Sequence, residues 1–159
     1  MGRHLCIALT VIACSPAQAT EFRCYPPDPV GFYRATATGD DVYRIVRGRF
    51  SFDMQLLPYG GEASVIPVIR DIPAWFTGHL LGRDGFVAAL GFHLTIEPHC
   101  TMVSCPYLEQ GTEVIAFVRQ AADGPVLDAD PCLTPVFAAT RAVTDLLVHC
   151  LGTAACVAD

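Results

Sequence analysis

The clearest pattern in the chain lies between Phe86 and Glu97, where Leu90, Phe92, Leu94 and Ile96 fall on one face while His93, Thr95 and Glu97 fall on the other. That alternation is the signature of a half-buried strand. Further along, Val114-Ile115-Ala116-Phe117-Val118 is continuously apolar, rich in β-branched and aromatic residues and closed at Gln110-Gly111 and Asp123-Gly124-Pro125. It reads as a buried strand that returns as Val126-Leu127-Asp128, a hairpin bracketed by cysteines. Val42 to Met54 is a third strand, with Phe50, Phe52 and Met54 on one face and a bulge or sharp bend expected at Gly48. Pro58-Tyr59-Gly60-Gly61 is a turn, and Ala63 to Ile69 a short edge strand because it contains Pro67. Ile72 to Leu81, carrying Trp75 and Phe76, runs into a second turn at Gly82-Arg83-Asp84-Gly85.

After Cys132 the period changes. Thr134 as N-cap and Pro135 at the first helical position precede Val136, Ala139, Val143, Leu146 and Cys150 at helical spacing. Arg141, Asp145 and His149 line the opposite face, and Gly152 is a stop signal, so a helix is expected from Pro135 to Cys150. Several short strands followed by one helix predict a mainly β domain, a small closed antiparallel barrel with one C-terminal α-helix.

The N-terminus does not belong to that domain. Arg3, the apolar Leu5 to Ala13 and an Ala-x-Ala site ending at Ala19 describe a secretory signal peptide over residues 1–19. A competing cleavage reading takes Val11-Ile12-Ala13-Cys14 as a lipobox, which would anchor the protein by a lipid on Cys14. The well-formed Ala-x-Ala site and the short apolar run before Cys14 favour the first. Either route exports the protein to the periplasm or the extracellular space, and no stretch reaches the ~20 apolar residues of a transmembrane helix. Residues 20–40, with Tyr25-Pro26-Pro27-Asp28-Pro29, read as an extended lead-in because three prolines in four positions oppose a helix. The barrel and its helix then occupy residues 41–156.

Export decides how the cysteines are read. Cys24, Cys100, Cys105, Cys132, Cys150 and Cys156 remain in the folded part, an even set for an oxidising compartment. The first choice among the fifteen pairings of six cysteines is Cys100–Cys105, Cys150–Cys156 and the long link Cys24–Cys132. Cys150, on the core side of the helix, could instead reach a strand. A zinc site built on His99-Cys100, His149-Cys150 and Cys105 lacks the paired Cys-x-x-Cys spacing of structural sites. The whole chain carries ten arginines, no lysine and sixteen carboxylates, a net charge of −6, which disfavours nucleic acid and anionic membranes as partners.

Candidate chemistry is sparse. Arg44, Arg47 and Arg49 beside Tyr43 and Phe50 could bind a single strand of nucleic acid by charge and stacking, but surplus acids and export favour solvent-facing strand residues. Ser104 with His99 would be a nucleophile and base, Asp128 with Asp130 an acid–base pair, and His79 with His93 metal ligands. Each is better read as turn or surface chemistry. The sequence therefore assigns no catalytic residue, no metal ligand and no cofactor.

The order of a cysteine near the mature N-terminus, Val46-Arg47-Gly48, Phe76-Thr77-Gly78, Ser104-Cys105-Pro106, Gly111 to Phe117, Cys132 and a helix ending near Cys150 resembles the netrin-module (NTR) and tissue-inhibitor-of-metalloproteinases (TIMP-like) family, including its bacterial members. The resemblance spans about residues 24 to 150 and rests on order and spacing. It implies a disulfide-bonded OB-like barrel serving as a non-enzymatic binding module for a protein or envelope component. Animal inhibitors of that family chelate a protease zinc through an N-terminal cysteine. Here Thr20-Glu21-Phe22-Arg23 precedes Cys24, so that group is missing and Cys24 keeps a structural role. The expected contacts are Phe22 and Tyr25 in the lead-in and Trp75 and Phe76 at the aromatic strand, the competing expectation being that Trp75 or Phe76 fills the barrel. The alternative function is a secreted hydrolase or metal-handling protein.

Overall fold

The computed structural model describes residues 23–57, 71–101, 104–153 and 156. The expected leader with Cys14, the contact candidate Phe22 and the expected strand Ala63 to Ile69 lie outside them. In chain order the elements are α1 (Pro29–Thr38), β1 (Tyr43–Phe52), a 3₁₀ turn (Met54–Leu56), β2 (Ile72–Gly82), β3 (Gly85–Pro98), β4 (Val114–Ala121), β5 (Gly124–Ala129), β6 (Val136–Ala138) and α2 (Arg141–Thr153).

The strands join in the order β1-β2-β3-β5-β4-β6, and an additional β1–β4 pairing closes the first five into a ring. This is a small closed barrel of OB-like topology. Neighbours in the ring are antiparallel except β3 and β5, which run parallel from Thr95↔Val126 to Pro98↔Ala129. Parallel neighbours need a crossover, supplied here by the segment after Pro98 together with β4. The expected hairpin is β4–β5, with Ala121↔Gly124 at its tip and Gly124 at φ +134°, a conformation that suits glycine.

Closure depends on β1 bending so that Val46, Arg47 and Gly48 pair with β4 on one side and β2 on the other. Gly48 faces Gly78 across the β1–β2 pair, and a Cβ on Gly48 would lie 2.2 Å from the Thr77 carbonyl oxygen and 2.6 Å from the Gly78 Cα. The expected irregularity at Gly48 is thus a close backbone approach, with no register shift in β1.

Two apolar layers follow from strand alternation. Val46, Phe50, Phe76, Leu94, Ile96, Ala116, Val118 and Leu127 fill the barrel. The outward Ile115 and Phe117 of β4 pack with Leu81, Phe137 and Leu147 beneath the helices. Phe32 of α1 meets Phe117 edge-on at 4.9 Å, which docks α1 on that outer layer.

Two sequence expectations are corrected. The lead-in is extended only before Pro29, because residues 29–38 form α1. Pro29 takes the first helical position, where a missing N–H costs nothing, and the Asp28 carboxylate accepts from the Gly31 N–H at 2.8 Å. The C-terminal helix starts at Arg141, six residues after Pro135. Val136–Ala138 instead pairs with Ala116–Val114 as β6, and Asp130 Oδ1 accepts from the N–H groups of Cys132 and Thr134, making a turn with Leu133 at φ 49°. Thr140 then caps α2, its hydroxyl accepting from Val143 N–H at 3.3 Å. Leu147 and Cys150 are its buried residues, while Leu146 points outward.

The disulfides are Cys24–Cys132, Cys100–Cys105 and Cys150–Cys156, as expected from the sequence. The first pins the lead-in across 108 residues, and the others close separations of 5 and 6. Such bonds belong to an oxidising, non-cytoplasmic compartment. No helix among the described residues is long and apolar enough to cross a membrane.

Candidate functional site

The outer face of β1, β2 and β3 forms a groove of about 570 Å³. Strand register sets three cross-strand rows on this face, Arg47, His79 and Ala89; Arg49, Thr77 and Gly91; Ser51, Trp75 and His93, of which all but Ser51 and His93 line the groove. These positions alternate with the inward-pointing Val46, Phe50, Phe76 and Leu94, so the barrel core itself forces them outward. Trp75 is 41% exposed. The six-membered ring of its indole occupies the space a side chain on Gly91 would take, with Cζ2 2.9 Å from that Cβ position, and the His93 ring meets it edge-on at 4.5 Å. An aromatic covering a glycine on the neighbouring strand is a fixed platform with one side to solvent.

The groove's charge comes from β1. Arg47 donates to Glu113 at 3.3 Å, a partly exposed pair, and its Nε is buried without a hydrogen-bond partner among the described residues. Arg49 is exposed and has no ion-pair partner among the described residues. The arrangement presents cationic donors along one strand and an aromatic surface across the sheet from them.

The sequence-level candidates separate accordingly. Trp75 lies in this groove, but Phe76 has zero exposure and packs between Phe50 and Phe92, so it is a core residue and no contact site. Adjacent strand residues face opposite ways, and the larger indole is the one left outside. Tyr25 is 93% exposed and lines a different groove of about 370 Å³ with Phe32 and Leu133. Lead-in and strand therefore do not share one groove. Arg47 and Arg49 share the outer face, whereas Arg44 falls on the alternate one, Phe50 is core, and Tyr43 sits edge-on to Phe32. Thr77 and Gly91 carry no signal of their own in sequence; only register brings them here.

The proposed chemistry elsewhere is not assembled. His79 and His93 stand two rows apart along the sheet, about 13 Å by strand geometry, too far to share an ion. Ser104 is held in the Cys100–Cys105 turn by Thr101, while His99 Nε2 faces Asp128 Oδ1 at 3.5 Å. Asp130 serves its own turn. Glu97, His99 and Asp128 do place donor atoms within 4.8 Å of one another. Arg119, however, grips Asp128 with Nε at 2.9 Å and Nη2 at 2.8 Å and reaches Glu97 at 3.4 Å. A cation would have to displace that fork. Hydrogen bonding from Arg119 lowers the Asp128 pKa, and the same bond raises that of Arg119. Burial, then the Asp128 charge, raises the Tyr43 pKa. The cluster fastens β3, β4 and β5 together outside the barrel.

Compared with protein families, with curated proteins and with solved structures, the chain finds no match.

Proposed function

We propose that this protein is an exported, non-enzymatic binding module that meets a protein or envelope component on the outer face of β1, β2 and β3. The observation that carries the reading is Trp75: a large aromatic, held in place by Gly91 and His93, left half-open in a groove that Arg49 also lines. Aromatics and arginines dominate contact energies, and an aromatic already held in place loses little entropy on binding. The three disulfides support export, and the leader over residues 1–19 supplies the route. The ring order and the cysteine-pinned lead-in support the kinship with netrin-module and TIMP-like proteins. Among the described residues, a hydrolase or metal-handling role would draw on Glu97, His99 and Asp128, whose carboxylates Arg119 already engages.

The test is capture from envelope extract with immobilised wild type, Trp75→Ala and Tyr25→Ala. Loss of the captured components in Trp75→Ala alone supports this face. Loss in Tyr25→Ala alone moves the site to the lead-in, and a turnover signal removed by Asp128→Asn refutes the non-enzymatic reading.

A further inference from the structure

We infer that the groove takes a short acidic oligosaccharide, one sugar ring lying on Trp75 and a carboxylate on the Arg49 guanidinium. This rests on the binding face proposed above and names its ligand. Arg47 and Arg49 are two residues apart on β1, about 7 Å along the strand, and both line the groove. Glu113 already engages Arg47 at 3.3 Å, so Arg49 is the charge available for a bidentate bond to a carboxylate. Between the cations and the indole the floor is Thr77, small enough to leave a hollow, with Gly91 beneath the indole, and about 570 Å³ accommodates a few pyranose rings. The exposed side of the indole offers a flat apolar surface for the C–H face of a ring, while Thr77 and His79 offer hydrogen bonds to hydroxyls.

Competing occupants fit less well. A nucleic acid strand binds by stacking successive bases on several aromatics, and among the described residues this face has one such platform. The surplus of sixteen carboxylates over ten arginines also opposes a long polyanion, though a ligand of a few units confined to the groove meets the local cations first. An added peptide strand needs free backbone, and β2 is already paired on both edges across this face.

Trp75 is the chain's only tryptophan, so its emission reports occupancy directly. The probe is a uronic-acid tetrasaccharide, titrated beside a neutral tetrasaccharide and an eight-nucleotide single-stranded DNA. Saturable change with the uronate, at least about 10-fold weaker binding of the neutral sugar, and at least about 10-fold weakening by Arg49→Gln are expected, since a charge-assisted hydrogen bond is worth that much. Calorimetry should show binding abolished in Trp75→Ala and unchanged in Tyr25→Ala. Equal binding of neutral and acidic sugars on wild type overturns the inference without any variant, as does DNA binding where the uronate fails. If no sugar binds while envelope capture still depends on Trp75, the ligand class falls and the binding face stands. If capture ignores Trp75 as well, both fall.

Discussion

Replacing Gly48 by alanine should destabilise the barrel at the point where it closes. The added methyl would lie 2.2 Å from the Thr77 carbonyl oxygen, 2.6 Å from the Gly78 Cα and 2.7 Å from Phe76 Cζ. Two of those neighbours are backbone of the paired strand, so relief requires β1 and β2 to separate, and the third is a core ring that can shift only by disturbing Phe50 and Phe92. Overpacking of a well-filled interior costs about 1–3 kcal/mol, and contacts this short on fixed backbone put Gly48→Ala at roughly 3 kcal/mol or above. For a domain of this size that is a fall in Tm of about 10 °C. Gly111→Ala is the matched control: Gly111 has φ +77° with nothing within 4 Å of the added carbon, so only backbone strain of about 1 kcal/mol applies. Thermal and urea unfolding of both variants, with disulfides intact, measures the difference. A Gly48→Ala protein as stable as Gly111→Ala or better would refute the close β1–β2 approach.

Further outcomes follow from the same geometry. Removing the 108-residue link with Cys24→Ser and Cys132→Ser should cost about 4–5 kcal/mol by loop entropy, against about 2 for Cys100→Ser with Cys105→Ser, read by denaturant unfolding. Asp128 has its pKa lowered by Arg119 in the folded state, so the pair's contribution is present above about pH 4 and fades as pH falls through the depressed folded value. Stability between pH 5 and 2 should therefore fall less steeply in Arg119→Met than in wild type, with a cost near neutral pH of about 1 kcal/mol because the pair is partly exposed; identical pH slopes would contradict the assignment. Iodide should quench Trp75 more efficiently than caesium does, and Arg49→Gln should narrow that gap, as fits an indole in a groove that Arg49 also lines.

Much of the fold is legible in the sequence because strand alternation records the inside and outside of a barrel. Leu94 and Ile96 face the core as their period demands, and the Asp123-Gly124-Pro125 turn delivers β5 against β4. The first helix is hidden because none of its residues is fully buried, which leaves no strong apolar stripe, and because Pro29 reads as a breaker when it is an initiator. Thr134-Pro135 is sound helix-starting chemistry overruled by pairing of Val136–Ala138 with β4, a tertiary effect no local pattern carries. The candidate site is half legible. Arg47, Arg49 and Trp75 are conspicuous singly, but their grouping around Thr77 and Gly91 is set by cross-strand register. Which of Trp75 and Phe76 faces out depends on Phe50 filling the barrel beside the latter.

The most direct measurement of the binding face uses the single indole N–H. In ¹⁵N-labelled protein, Trp75 gives one side-chain indole resonance, visible while unlabelled envelope extract stays silent. Adding extract should shift or broaden that resonance together with the backbone amides of Thr77 and Gly91, leaving those of Cys24 and Tyr25 unchanged. An indole resonance that stays in place while the amides around Tyr25 broaden would contradict it.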